Sequence, residues 1–115
     1  MTNDASFDVV DSGQPGVTVL EAHGEIDVAT SPELQDMLVE LVGRGPELLI
    51  VDLTDVSFID STGLGVLVGA VRDVRAAGGE LRLVVTQPHI IKLLELTGLD
   101  EVFTILSNAS DAVRP

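Results

Sequence analysis

Three side chains able to do chemistry stand in a row at Asp60, Ser61 and Thr62, with glycines following at 63 and 65. The run lies where an aliphatic stretch, Glu47–Leu53, gives way to a helical pattern from about Ser61 to Ala77. Any of the three could cap that helix, since an N-cap oxygen accepts a bond from an amide two or three residues on and stabilises by about 1 kcal/mol. Capping uses one such residue. Gly63 and Gly65 each weaken a helix by roughly 1 kcal/mol relative to Ala, and they strip side chains from the first turns. A helix N-terminus with bare amides and a hydroxyl suits a phosphoryl group, through its dipole and its unpaired N–H groups. Two readings stay open on these residues: capping with close packing, or a site that carries phosphate. Gly65 and Gly69 share one helix face. Close packing against a sheet or a second helix is the simpler account of that pair, and a docking groove is the other.

Other chemistries fit less well. A nucleophile elbow needs Gly two residues before the Ser, where Ile59 stands. No phosphate-binding P-loop run occurs. Gly63-Leu64-Gly65 opens a dinucleotide fingerprint that breaks at Val68. His23 and His89 are far apart and read as surface or partly buried histidines. A phosphoacceptor aspartate at Asp52, with Asp55 and Asp60 beside it, would need a cation for the transferred group. The only lysine, Lys92, falls inside a helical pattern instead. Cysteine is absent, which removes disulfides, thiolate nucleophiles and thiolate zinc sites. No metal site and no cofactor is expected.

The elements that must position Ser61 follow from periodicity and turn chemistry. Ser6–Ser12 and the alternating run from Val17 make an antiparallel hairpin across Gly13–Gly16. A helix follows, with Ser31 as cap, Pro32 at the first helical position, and Leu34, Met37, Leu38, Leu41 and Val42 as its apolar stripe. Glu47–Leu53 reads as a strand buried on both faces. The helix from Ser61 carries Leu64, Leu67, Val68, Val71 and Val74 inward and stops at Gly78. A strand at Glu80–Val85, a helix beginning near Pro88 and a last edge strand at Val102–Leu106 complete the order. Alternating βα units imply a parallel centre, made mixed by the hairpin. The fold class is therefore α/β: one domain over residues 1–115, with its core at about 6–107 and helices packed on a small mixed sheet.

Hydrophobic residues make up 45% of the 115 and mean hydropathy is +0.39, which excludes a disordered chain. The net charge of −13 repels phosphate backbones and anionic lipid, so nucleic acid and membranes are poor partners. A protein with a basic patch is a better one. The N-terminus has neither the basic nor the apolar region of a signal peptide, and the cytoplasm is the expected compartment. The sequon at Asn108 carries no weight without a secretory signal.

"FIDSTGLGVLVGA" resembles the signature of the STAS-domain anti-sigma-factor antagonists, with the phosphorylated serine falling on Ser61. "GEIDVAT" resembles the family's second motif and puts Asp27 in the site. "VDLTDVSFID" and "IIKLLELTGL" are similar to its strand, loop and closing helix. The likeness runs from about Phe7 to Leu106. It implies a STAS fold and a non-enzymatic partner switch. The unphosphorylated form binds an anti-sigma factor that is also a serine kinase and so releases the sigma factor. ATP-dependent phosphorylation of Ser61 breaks that complex, and a serine phosphatase restores it. Asp27, Asp60, Thr62, Gly63 and Gly65 would form the phosphosite environment. The alternatives are a STAS subunit of a lipid-transport or stress-signalling assembly, or a module binding nucleotides or small ligands at the helix mouth. Assembly into a homodimer stays open.

Overall fold

In the computed structural model, which describes residues 5–113, the chain forms a five-stranded sheet. The strands are β1 (Ala5–Asp11), β2 (Val17–Ile26), β3 (Leu48–Ile59), β4 (Glu80–Val84) and β5 (Thr104–Leu106). The helices are α1 (Ser31–Gly43), α2 (Ser61–Ala76), α3 (Pro88–Leu96) and the short α4 (Ala109–Ala112). Strand order follows chain order. β1 pairs antiparallel with β2, and every later pair is parallel. The hairpin and the parallel centre read from the sequence are both present. The ends of the predicted 1–115 domain, residues 1–4 and 114–115, lie outside the described residues.

Sequential strand order decides where the helices go. Right-handed crossovers that always step the same way along a sheet put their helices on one face. Leu34, Leu38, Leu64, Leu67, Ile90 and Leu94 accordingly join Leu20, Leu49, Val51 and Leu83 in one core. The opposite face holds a smaller cluster, Val19, Leu48, Ile50 and Val84, covered by Ala112 of α4. Leu48–Val51 is thus buried on both sides, as its unbroken apolar run predicts. Beyond the reach of α4 the open face turns polar. There the His23 ring lies 3.2 Å from Asp55, 3.6 Å from Asp8 and 3.8 Å from Glu21.

Three elements differ from the reading of the sequence. β3 does not stop at Leu53 but runs to Ile59. Its pairing with β2 shifts register twice, between Glu21 and His23 and between Gly24 and Glu25, and each shift gives β3 one residue more than its neighbour. Buried residues then recur at Leu53, Val56 and Ile59, every third position, and the period of two is lost. Gly24, at the second shift, has φ +91°, a conformation that glycine adopts without strain. Ser31 is not the cap of α1: it is the first helical residue, buried, with Thr30 in the N-cap place and no side-chain cap bond. The last strand begins at Thr104, because Val102 ends a 3-10 turn and Phe103 points into the core.

Candidate functional site

The mouth of α2 is built by Asp60. Its backbone is extended, and its Oδ1 accepts from the amides of Thr62 at 2.9 Å and Gly63 at 3.1 Å. Its own N–H donates to the Ile26 carbonyl at 3.1 Å, which ties the ends of β2 and β3 together. The cap is therefore complete without either hydroxyl. Ser61 and Thr62 are both exposed, and among the described residues neither hydroxyl has a hydrogen-bond partner. The expectation of bare first-turn amides is corrected at Thr62 and Gly63, because the Asp60 carboxylate occupies those two. What the mouth offers is a hydroxyl at the start of a 16-residue helix, where the dipole favours added negative charge.

The glycines divide into two kinds. A Cβ on Gly63 would lie 2.6 Å from Ile26 Cγ2 and 2.8 Å from Ile59 Cγ1, so only glycine lets the helix sit this close to the strand ends. At Gly65 and Gly69 a Cβ would meet nothing within 4 Å. Close packing, the simpler account of that pair, is overturned: both face a groove between α1 and α2, beside Leu38, Val39, Val42 and Val66.

Asp27 stands at the end of β2, beside the mouth, because Asp60 is bonded to the preceding Ile26. Its Oδ1 accepts from the amides of Ala29 at 2.9 Å and Thr30 at 3.1 Å. Its backbone N–H donates to Thr30 Oγ1, and that hydroxyl donates in turn to the Glu25 carbonyl at 2.7 Å. The turn leads into α1 through its backbone, the Ser31 amide donating to the Asp27 carbonyl at 2.8 Å, with no side-chain cap. The turn also holds Asp27 at the same C-terminal end of the parallel strands as Ser61.

The carboxylates of an aspartyl-phosphate site do not come together. Asp52 accepts from the Thr54 amide at 2.9 Å and from its hydroxyl, Asp55 faces His23, and Asp60 caps α2. Lys92 is exposed on α3. Among the described residues no group of acids or histidines is arranged to hold a metal ion. No described helix is long and apolar enough to cross a membrane.

Two features escape the sequence. Val28 and Phe58 are large apolar residues left 72% and 46% exposed, one in the Asp27 turn and one just before the mouth. Gln87, before α3, reaches back to β3: its Nε2 donates to the carbonyls of Leu53 at 2.7 Å, Thr54 at 2.9 Å and Val56. A "TQP" run read as the start of a helix gives no sign of that reach. Only the Pro after Gln87, which holds it extended, hints at a separate role.

Comparison with known proteins agrees with this geometry. The chain is 42% identical over 91 residues to an anti-sigma-B factor antagonist of Bacillus subtilis, covering 79% of this chain and 83% of that protein. A crystal structure of an anti-sigma factor antagonist from Mycobacterium paratuberculosis superposes with a TM-score of 0.86 at 31% identity, covering 96% of this chain and 92% of the other. The anti-sigma factor antagonist SpoIIAA in its unphosphorylated form shares the fold, with a TM-score of 0.78 at 21% identity over 94% of this chain and 93% of that one. The STAS domain family model matches residues 9–112, from β1 through the Asp60–Ser61 mouth to α4. By that match, and by its identity to the Bacillus protein, this chain belongs to the STAS domain family.

Proposed function

We propose that this chain is an anti-sigma-factor antagonist that works by partner switching, with Ser61 as its phosphoacceptor. The observation that carries the reading is the division of labour at the mouth of α2. Asp60 makes the cap, and the Ser61 hydroxyl is exposed and unengaged among the described residues. The name and identity of the Bacillus subtilis relative support it. The unphosphorylated form binds an anti-sigma factor with serine kinase activity and frees the sigma factor. The kinase then transfers the γ-phosphoryl group of ATP to Ser61 Oγ, which gives up its proton, and ADP leaves. A serine phosphatase hydrolyses the ester and resets the switch. The chain is a substrate and a binder in this cycle, holds no cofactor, and acts in the cytoplasm.

The phosphate would add about −1.5 to −2 charges. The dipole of α2 tolerates that charge, so the domain stays folded. The effect falls at the interface, where a dianion would be desolvated or brought against acidic groups. Exposed Val28 and Phe58 beside the mouth supply apolar area for the unmodified contact. Asp27 orients the acceptor or the incoming nucleotide, and Asp60, Thr62, Gly63 and Gly65 shape the surface around it.

The test is to incubate wild type, Ser61→Ala and Thr62→Ala with the anti-sigma factor and ATP and to map phosphate by mass. Wild type and Thr62→Ala should be modified at Ser61, and Ser61→Ala should bind but stay unmodified. Phosphate on Ser61→Ala at wild-type levels, or undiminished binding by the phosphorylated protein, would refute the switch.

A further inference from the structure

Among the described residues, the half of β3 that leads into the mouth has no strand on its outer side. Parallel pairing with β4 ends at Asp52↔Val84, and the next amide, Val85 N–H, bonds to Leu106 instead. From Leu53 onward β3 also carries both of its register shifts against β2. Bulged backbone loses ladder partners, and a buried carbonyl without a partner is destabilising. Two side chains from the start of α3 take over here. The Gln87 Nε2 amide donates to the carbonyls of Leu53, Thr54 and Val56, and the His89 ring lies 2.8 Å from the Ser57 carbonyl. The Gln87 Oε1 accepts from the Thr86 amide at 3.1 Å, which fixes the direction of the donor end. Four carbonyls of the five residues Leu53–Ser57 thus converge on two side chains, three of them sharing the two N–H groups of Gln87. Ile59 and Asp60 follow directly, and Asp60 sets the first turn of α2.

We infer that Gln87 is a positioning residue for Ser61: by clamping the bulged half of β3 it sets the height and direction at which the mouth presents its hydroxyl. The inference rests on Ser61 being the phosphoacceptor. Gln87 makes no hydrogen bond to Ser61, and it acts through the strand. An in-line transfer needs the acceptor oxygen held in a narrow geometry, and a small misplacement lowers the rate more than it weakens docking. Gln87→Glu puts a carboxylate, which cannot donate, against three carbonyl oxygens. Gln87→Met keeps the length and removes the amide without adding charge.

Both variants are to be compared with wild type by amide hydrogen exchange and by steady-state phosphorylation, using the serine kinase that modifies the wild-type chain. Exchange should rise roughly tenfold or more over residues 56–63 and stay unchanged in α1 and β4, because the clamp is local. The kcat for Ser61 should fall roughly tenfold while KM moves less than about twofold. Uniformly faster exchange across the domain, unchanged exchange over 56–63, or an unaltered kcat beside a local rise would each overturn the positioning role. If Gln87→Glu fails to fold, Gln87→Met carries the test. A wild-type chain that no kinase modifies at Ser61 would instead refute the partner-switching reading, and the exchange result would still decide whether Gln87 sets the mouth.

Discussion

Gly63 and Gly65 are two residues apart in one helix, and the same substitution should move stability in opposite directions. An alanine methyl at Gly63 arrives 2.6 Å and 2.8 Å from the side chains of Ile26 and Ile59, which are 0% and 3% exposed and have no room to swing away. Forcing a carbon into a packed site destabilises by about 1–3 kcal/mol. The better helix propensity of alanine offsets at most about 1 kcal/mol of that, and less so close to the N-terminus. Gly63→Ala should therefore lose about 1–2 kcal/mol. At Gly65 nothing lies within 4 Å of the added methyl, so only the propensity gain remains, and Gly65→Ala should gain about 0.5–1 kcal/mol. The gap of about 2 kcal/mol corresponds to roughly 1 M in urea midpoint for an m-value of about 2 kcal/mol/M. Equilibrium urea unfolding followed by circular dichroism reads it directly. If the two variants shift together in either direction, the seat of α2 on Ile26 and Ile59 is not what requires glycine.

Asp60→Ala should lose about 0.5–2 kcal/mol in the same assay while Asp60→Asn, which keeps the accepting oxygen, loses little; equal losses would mean that charge rather than capping matters there. Asp27→Asn likewise keeps the turn to Ala29 and Thr30, so its unfolding midpoint should match wild type while transfer to Ser61 slows more than binding weakens. Equal losses of rate and affinity would make Asp27 a plain contact residue. Ser61→Asp should fold as wild type and bind the anti-sigma factor more weakly, with each tenfold in dissociation constant being about 1.4 kcal/mol. Titration calorimetry showing unchanged affinity would count against charge as the means of release. With −13 on this chain, association should slow as salt rises, and a stopped-flow rate indifferent to ionic strength would remove electrostatic steering.

The parts of the fold legible in the sequence are those where one period governs a whole element. The apolar stripe of α1 and the run Leu48–Val51 were readable because helical spacing and a buried strand each leave a simple pattern. The hairpin was readable from its glycines and proline. β3 beyond Leu53 was not, because two register shifts replace alternation with a spacing of three and fill the gaps with Thr54, Asp55, Ser57 and Phe58. The cluster Asp60–Ser61–Thr62 marked the start of α2, but which of the three caps it depends on backbone geometry that composition does not carry. Ser31 was misplaced for the same reason: the Asp27 turn starts α1 one residue earlier. The reach of Gln87 across more than thirty residues to Leu53 and Val56 leaves no local signal at all.

Because the Asp60 carboxylate makes the side-chain cap of α2, the Ser61 hydroxyl is not needed for that cap. That separation bears on turnover. A modification that loosened the domain would expose one form to proteases faster than the other, since degradation follows the unfolded population. Two forms that both keep the fold would differ little in lifetime. With Ser61 as the phosphoacceptor proposed above, the ratio between them would be set mainly by the rates at which a phosphoryl group is attached to Ser61 and removed, and the chain would be recycled through many rounds without attrition biasing the record.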